Sequence, residues 1–464
     1  MELPFVSIIV LNYNGLHFLP TCLDALRRQT YPSGCFEVII TDNGSTDGSL
    51  ELLKNDYSWV RLLENGTNLG FSVANNKAAR IAKGEYIILL NNDTAPEPGW
   101  IEKMVEVANT DPRIGIVAGH LRLFYDQLEL RFETEAFVPS NNDSRELGVM
   151  FYRVDTGVFR GVNQFLDGFY WREVYENGLS WRWMKASGRL GIPVPGGEGD
   201  WQIHFELSSG RPDLSAVPLS IYLGDQQIAR WMVPPDGPAS FVLDLPASSR
   251  QLARPLEQNT GSVIFRNGAG RDRGTYVRND EVFYETDEGQ YGKVEEVFAA
   301  CGASYLMRRE MIDDVGLLDD DFFIYYEDTD LSWRARLRGW KVVYSPQAYV
   351  RHIHCGTNTE WSPFFVHLIE RNRLAMIFKN GTWDQIARVW SGYYLRVFRM
   401  GLKALKHWAI RKPDWRQLAS PLKVHLKIAG ELILWMPGLL RKRWRIQKLA
   451  VVPTKQLIEN WFVQ

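Results

Sequence analysis

The sequence predicts an α/β domain of the doubly wound kind, interrupted by a β-rich insertion and followed by a basic helical tail. Three features carry this expectation. Continuous β-branched runs alternate with helical spacing over the first 120 residues, a middle stretch shows period-two alternation broken by Gly and Pro, and strand–helix alternation returns at Phe298.

Taken in order, Val6-Ser-Ile-Ile-Val-Leu11 is an apolar run of the sort buried on both faces of a parallel sheet, and Leu19 to Arg28 carries helical spacing. Phe36 to Thr41 repeats the strand, a Gly/Ser/Asp loop follows, and Ser49 to Lys54 restarts a helix. Glu85–Leu90 and Ile114–Ala118 are further strands around a helix from Trp100 to Asn109. Between about Tyr125 and Val294, short alternating runs such as Trp201–Leu207, Leu219–Leu223, Ile228–Val233 and Phe241–Leu245 predict a β-sandwich. The expected organisation is therefore residues 1–127 and 295–383 as two parts of one α/β domain, 128–294 as the insertion and 384–464 as the tail.

A chain of 464 residues is about three times the usual single-domain length, and 45% hydrophobic with 23% charged residues excludes a mainly disordered or fibrous protein. The net charge of −2 excludes a chain-wide nucleic-acid signature, and no nucleic-acid partner is expected. That balance is uneven: residues 384–464 hold 16 Lys/Arg against 4 Asp/Glu, a net +12, which leaves −14 for the rest. The N-terminal Met-Glu-Leu-Pro lacks the basic start and apolar core of a signal peptide, and Cys22, Cys35, Cys301 and Cys355 form no CxxC pair, so a cytoplasmic, reducing location is expected. Sequons at Asn43-Gly-Ser45 and Asn92-Asp-Thr94 are read as chance matches, because both fall in a candidate ligand site.

The tail's longest nearly apolar stretch, Ile428 to Leu440, is 13 residues with Glu431 and Pro437 inside it, short of the ~20 needed to span a bilayer. Trp390, Trp408, Trp415, Trp435 and Trp444 are interleaved with Lys and Arg, as in Arg441-Lys-Arg-Trp-Arg445. That pattern suits peripheral contact with an anionic membrane surface, and equally a helical subdomain with a solvated basic face.

Three polar clusters follow predicted strands, where open α/β sheets place their ligand crevice: Asn12-Tyr-Asn-Gly15, Thr41-Asp-Asn-Gly-Ser-Thr-Asp47 and Asn91-Asn-Asp-Thr94. Asp42 can accept hydrogen bonds from a nucleobase or ribose, Tyr13 offers a face for stacking, and Asp93 can ligate magnesium or manganese beside diphosphate oxygens. In Tyr325-Tyr-Glu-Asp-Thr-Asp-Leu331, acids follow an apolar aromatic run at a helix start. Burial there raises a carboxyl pKa into a useful range for a base, and capping is the plainer role. His352 and His354 follow in Val350-Arg-His-Ile-His-Cys-Gly-Thr357 and can complete a metal shell. In the insertion, Phe169-Tyr-Trp171, Trp181-Arg-Trp183, Trp201 and Trp231 are either sugar platforms or core, and strand alternation favours burial for the last two.

With these residues in view, the sequence resembles the inverting glycosyltransferases of family 2, in the branch related to rhamnosyl- and galactofuranosyltransferases. Five motifs occur in order: Val6–Asn14, Ile40–Gly48, Asn68-Leu-Gly-Phe-Ser-Val-Ala-Asn-Asn76, Leu89-Leu-Asn-Asn-Asp93 and Tyr326-Glu-Asp-Thr-Asp-Leu331, with Glu370-Arg-Asn-Arg-Leu374 beyond them. The resemblance implies a GT-A type fold, the Rossmann-like nucleotide-diphosphosugar transferase domain. It implies a nucleoside-diphosphate sugar donor held by Asn12, Tyr13, Asn14, Asp42, Asn43, Asn68, Gly70, Asn75 and Asn92. It further implies a divalent metal (manganese or magnesium) on Asp93 and His352, with Asn91 in place of the first acid of the DxD motif. Asp328 matches the catalytic base, with Glu327 its less favoured substitute. The implied reaction is single-displacement transfer to a hydroxyl of a glycan or lipid-linked acceptor, in surface polysaccharide or glycolipid synthesis at the inner face of the membrane. Two alternatives remain at this stage: a sugar-1-phosphate nucleotidyltransferase, whose Gly-rich, Arg-containing first loop is missing from Leu11–Gly15, and a catalytically silent glycan-binding or scaffold protein.

Overall fold

The computed structural model describes residues 3–139, 143–175, 178–353, 362–410 and 415–463, with the side chains of 415–418 left out. Two compact units emerge. One comprises Met1–Arg122, Gln258–Gly274 and Gly289–Gln464; the other comprises Leu123–Glu257 and Thr275–Glu288.

The first unit is built on a mixed sheet whose early strands and helices follow the expected order: β1 (Val6–Asn12), α1 (Leu19–Arg27), β2 (Phe36–Asp42), α2 (Ser49–Asp56), β3 (Arg61–Glu64), α3 (Gly70–Ile81), β4 (Tyr86–Asn91), β5 (Thr94–Pro96), α4 (Trp100–Asn109) and β6 (Ile114–Leu123). The sheet runs from the edge strand Glu295–Glu296 through Lys341–His352, β6, Ser304–Arg308, β4, β1 and β2 to β3. The strands β4, β1, β2 and β3 are mutually parallel, whereas Ser304–Arg308 lies antiparallel between β4 and β6. Each parallel strand needs both faces covered, and two apolar clusters do this. Val6, Ile8 and Val10 pack with Leu23, Trp100 and Ile101 on one face; Ile9, Ile39 and Leu89 pack with Phe71, Met311 and Leu331 on the other.

Register decides where the polar strand ends meet. Asn12 pairs with Asp42 across β1 and β2, and Leu11 pairs with Asn91 across β1 and β4, so three Asn/Asp-rich loops leave the sheet at one edge. Helices α5 (Arg309–Val315), α6 (Glu327–Leu337), α7 (Pro363–Asn380), α8 (Trp383–Ala409), α9 (Trp415–Leu449) and α10 (Thr454–Trp461) follow. The tail helices share a core with α6 and α7 through Trp333, Leu374, Ile377, Tyr393, Ile428, Leu432 and Phe462. Within the tail the tryptophans divide. The Trp390 indole donates to the Leu374 carbonyl at 3.2 Å and Arg371 lies 4.5 Å over the Trp435 ring, whereas Trp408 and Trp444 are exposed. Among the described residues, no helix is long and apolar enough to cross a membrane.

The second unit stacks two five-stranded sheets. One is Phe169–Val174, Ser180–Met184, Met150–Asp155, Trp201–Ser208 and Ala239–Leu245; the other is Gln226–Val233, Val217–Leu223, Gln127–Thr134, Ser187–Pro193 and Gln164–Phe165. Inward residues of both, including Phe132, Phe151, Ile203, Phe205, Leu219 and Ile221, form one core, the arrangement expected of a sandwich. Trp201, Trp181 and Trp183 are buried and Trp231 stacks on Phe241 at 4.9 Å, while Trp171 is exposed. The borders differ from the sequence reading: residues 258–274 and 289–294 belong with the α/β unit. Their short alternating strands share the sandwich's texture, and the strand Ser262–Phe265 pairs with Phe462–Val463 at the far end of the chain.

Candidate functional site

The three strand-end loops are knitted together by their own polar side chains. Asn12 Nδ2 donates to Asp42 Oδ2 at 2.8 Å and to Ser45 Oγ at 3.1 Å, while Asn12 Oδ1 accepts from Asn92 Nδ2 at 2.8 Å. A single buried asparagine thus ties the ends of β1, β2 and β4. Gly15 makes this approach possible, because a Cβ there would lie 2.1 Å from Asn92 Nδ2. Asn14 adopts the left-handed region (φ 50°), accepts from the Thr46 amide through Oδ1 and donates its own amide to Ser45 Oγ at 2.9 Å.

Asp42 is buried, and Oδ1 accepts from the Gly44 and Ser45 amides at 2.9 Å while Oδ2 accepts from Asn12 and the Ser45 hydroxyl. A carboxylate has about four acceptor positions, and all four are occupied within the protein. Asn43 Nδ2 donates to Asn68 Oδ1 at 3.2 Å and to the Gly70 carbonyl at 3.1 Å, which joins the loop after β2 to the start of α3. Asn75 is different: its amide donates to the Phe71 carbonyl of its own helix. The Tyr13 ring stays exposed at the rim.

Asp93 and His352 come together at a second point. His352 ends its strand paired with Thr94, and the Ile353 amide donates to the Asp93 carbonyl at 3.0 Å. His352 Nε2 then lies 3.3 Å from Asp93 Oδ1, a buried oxygen with no hydrogen-bond partner among the described residues, while His352 Nδ1 faces Gln258 Oε1 at 3.0 Å. In the tautomer whose Nδ1–H donates to Gln258, Nε2 is left facing the Asp93 carboxylate oxygen. Two electron-pair donors set face to face, one of them an orphaned buried oxygen, suit a divalent cation, and the outer hydrogen bond is the usual orienting partner of a ligating histidine. His354 lies outside the described residues.

The third part is the turn before α6. Tyr325 and Tyr326 both have positive φ, 74° and 69°, a conformation that costs bulky residues on the order of 1–3 kcal/mol each. Fully buried Asn372 on α7 holds the turn by donating to the Ile324 and Tyr325 carbonyls at 3.0 and 2.9 Å. On the other side, the Phe71 amide donates to the Phe323 carbonyl, and Gly70 leaves room for the Phe323 ring, where a Cβ would sit 2.6 Å from it. The turn delivers Asp328, partly exposed, with Oδ2 accepting from the Gly302 amide at 2.7 Å and Oδ1 from Thr329. The next residue, Ala303, accepts from the Asn91 amide at 2.9 Å, so one short segment spans from Asp328 to the end of β4.

Burial pushes the Asp328 carboxyl above its ordinary value even though three hydrogen bonds favour the charge. Glu327, buried with Oε2 unpartnered among the described residues, is pushed well above its own, first by burial and then by the Asp328 charge. Gly302, Asn372 and Gln258 escaped the sequence reading. Asn372 lay inside the Glu370–Leu374 motif, but neither Gly302 nor Gln258 carries a local signal.

Residues 7–163 match the family described as Glycosyl transferase family 2, and residues 284–376 match Glycosyltransferase like family 2. Among curated proteins, the glycosyltransferase AglE of Haloferax volcanii is 31% identical over 126 residues, covering 26% of this chain and 41% of its own. The poly(ribitol-phosphate) beta-glucosyltransferase of Bacillus spizizenii is 40% identical over 92 residues, 19% of this chain and 14% of its own. The chain thus spans less than half the length of these relatives. A solved structure of GalNAc-T7 with UDP, GalNAc and Mn2+ is 14% identical, covering 86% of this chain and 51% of its own with a TM-score of 0.45. The fold of the α/β unit is of the GT-A type, and the chain carries a glycosyltransferase family 2 domain.

Proposed function

We propose that this protein is a metal-dependent inverting glycosyltransferase. It moves a sugar from a nucleoside-diphosphate sugar to a hydroxyl of a glycan or lipid-linked acceptor, in surface polysaccharide or glycolipid synthesis. The observation that carries this reading is the approach of His352 Nε2 to 3.3 Å from the buried Asp93 Oδ1, one short segment away from a carboxyl that burial has pushed up.

Asp93 and His352 would hold the metal, which when bound would supply positive charge against that developing on the diphosphate leaving group. Asn12, Asn14, Asp42 and Ser45 shape the nucleotide loop, with Asn43, Asn68 and Asn92 bracing it and Tyr13 offering its exposed ring to the base. Because the acceptor positions of Asp42 are filled, a base N–H reaches it only as the Ser45 hydroxyl rotates away. Asp328 is the base: its carboxylate takes the acceptor proton, and attack then comes from the face opposite the diphosphate in one displacement, which inverts the anomeric carbon. Glu327 is closed off from an acceptor, and burial followed by the Asp328 charge pushes its carboxyl well above its ordinary value.

The tail serves peripheral membrane contact at the inner face. Leu395, Phe398, Leu402 and Leu405 form an exposed apolar stripe on α8 beside Arg399, Lys403 and Lys406, the pattern of a helix lying in a bilayer interface. Thermal shift with manganese and a panel of UDP-, dTDP- and GDP-sugars tests the donor assignment, since binding to the folded state raises the melting temperature. At least one donor raises it only with metal present, and a panel without response rejects the assignment.

A further inference from the structure

The hairpin that begins with Ser262–Phe265, together with α7 and the start of α8, lines an open cavity of about 470 Å³. Four arginines line it: Arg266, Arg373, Arg388 and Arg396. Glu370 answers two of them, pairing to Arg373 at 2.6 Å and Arg396 at 3.3 Å. Burial would raise the Glu370 carboxyl, yet these two guanidiniums hold it below its ordinary value. The local balance stays strongly positive.

The arginines divide in function. Arg373 is buried and committed, since it also donates to the Asn267 carbonyl, and it acts as a scaffold. Arg266, Arg388 and Arg396 are exposed, and the nearest acid to Arg388 is Asp384 at 4.0 Å on the surface, a weak competitor in water. Arg388 and Arg396 stand one turn on either side of Gly392, where a Cβ would meet nothing within 4 Å, so the space between them is open. Phe265 and Val389 line the wall, and the Tyr393 ring joins them because its hydroxyl turns away to His425. Guanidinium forks over an apolar wall match a phosphate ester: bidentate donors for the oxyanion and a dry surface for the group that it esterifies.

We infer that this cavity binds the phosphate or diphosphate ester of the acceptor, an inference that rests on the transferase reading. The donor diphosphate has its own place at Asp93 and His352, which other elements supply, so an anion here is a second one. The cavity is also wired to the reaction centre. The Gly270 amide of the hairpin faces the Tyr326 hydroxyl at 3.4 Å, and Asn372, which holds the Tyr325 carbonyl, is the neighbour of Arg373. These contacts set the walls of the cavity beside the turn that presents Asp328.

The test uses the full chain in EDTA, where metal-dependent donor binding is switched off. Inorganic pyrophosphate is titrated calorimetrically, and in parallel the protein is sedimented with phosphatidylcholine vesicles made with or without phosphatidic acid. Wild type is expected to bind at least one phosphate probe, and the double variant Arg388→Gln/Arg396→Gln to bind it roughly tenfold or more weakly at an unchanged melting temperature. Arg388→Gln alone gives an intermediate loss. Binding of pyrophosphate supports a soluble phosphate group, and binding of phosphatidic acid vesicles alone supports a lipid-borne one. Equal binding by wild type and variant, or binding of neither probe, overturns the site. Donor hydrolysis is measured separately on the wild type: its absence with anion binding intact overturns the acceptor assignment and the transferase reading together, and leaves an anion site.

Discussion

The first turn of α6 carries acids with opposite environments only two residues apart. Asp328 faces the segment at Gly302 with no cation among its named partners, and burial pushes its carboxyl up. Asp330 is more deeply buried, which alone would push it further. Instead Lys379 at 2.9 Å and Arg334 at 2.9 Å hold it below its ordinary value, joined by Asn380 at 2.8 Å. Asp319 extends this second cluster, held well below the carboxylate range by Lys379 and Lys442. The contrast shows that depth does not decide an acid's role; the partner does. A carboxylate with buried cations is a strut, and one with only amides and a hydroxyl is available for proton transfer.

The largest effect expected from breaking this contrast is on stability. Lys379 is buried between Asp319 and Asp330, so Lys379→Met strips a cation from two buried acids and should cost about 3–5 kcal/mol in urea unfolding. Asp328→Asn attacks the other side. It should keep donor binding and a folded chain while turnover falls ~10²-fold or more, about 2.7 kcal/mol of barrier, in a steady-state assay. Gln258→Leu removes the hydrogen bond that orients His352 and should weaken manganese binding roughly 10- to 100-fold by calorimetry.

The smallest effect is the most diagnostic of sign. Glu327 has a folded pKa above its unfolded one, so it costs stability as pH rises from about 4.3 through the folded value, and Glu327→Gln should raise unfolding free energy at pH 7 relative to wild type. Asp319 and Asp330 have depressed folded values; their contribution is present above the unfolded value of about 3.9 and is lost as pH falls through the folded ones. Melting temperatures between pH 3 and pH 8 should therefore move in opposite directions in Glu327→Gln and Asp330→Asn, relative to wild type.

Much of the site is legible in the sequence because continuous apolar runs locate β1, β2 and β4, and Asn12, Asp42 and Asn92–Asp93 stand directly after them. The parallel register then brings those ends together without further information. Two features are not legible in this way. The left-handed pair Tyr325–Tyr326 contradicts local preference and is held by distant residues, Asn372 some fifty residues on and the Phe71 amide on the other side. The histidine's orientation depends on Gln258, which arrives on a segment whose alternating texture resembles the sandwich. The tail's mixture of half-buried Trp390 and exposed Trp408 is likewise decided by which helix face meets α7, a tertiary fact.

The central claim is that Asp93 and His352 hold a metal for departure of a nucleoside diphosphate while Asp328 handles the proton. Release of nucleoside diphosphate from a panel of nucleotide sugars, measured with and without EDTA, tests it most directly. The account predicts release from at least one donor that stops on chelation and returns with manganese. Release that survives chelation, pyrophosphate as the product, or no release from any donor would contradict it.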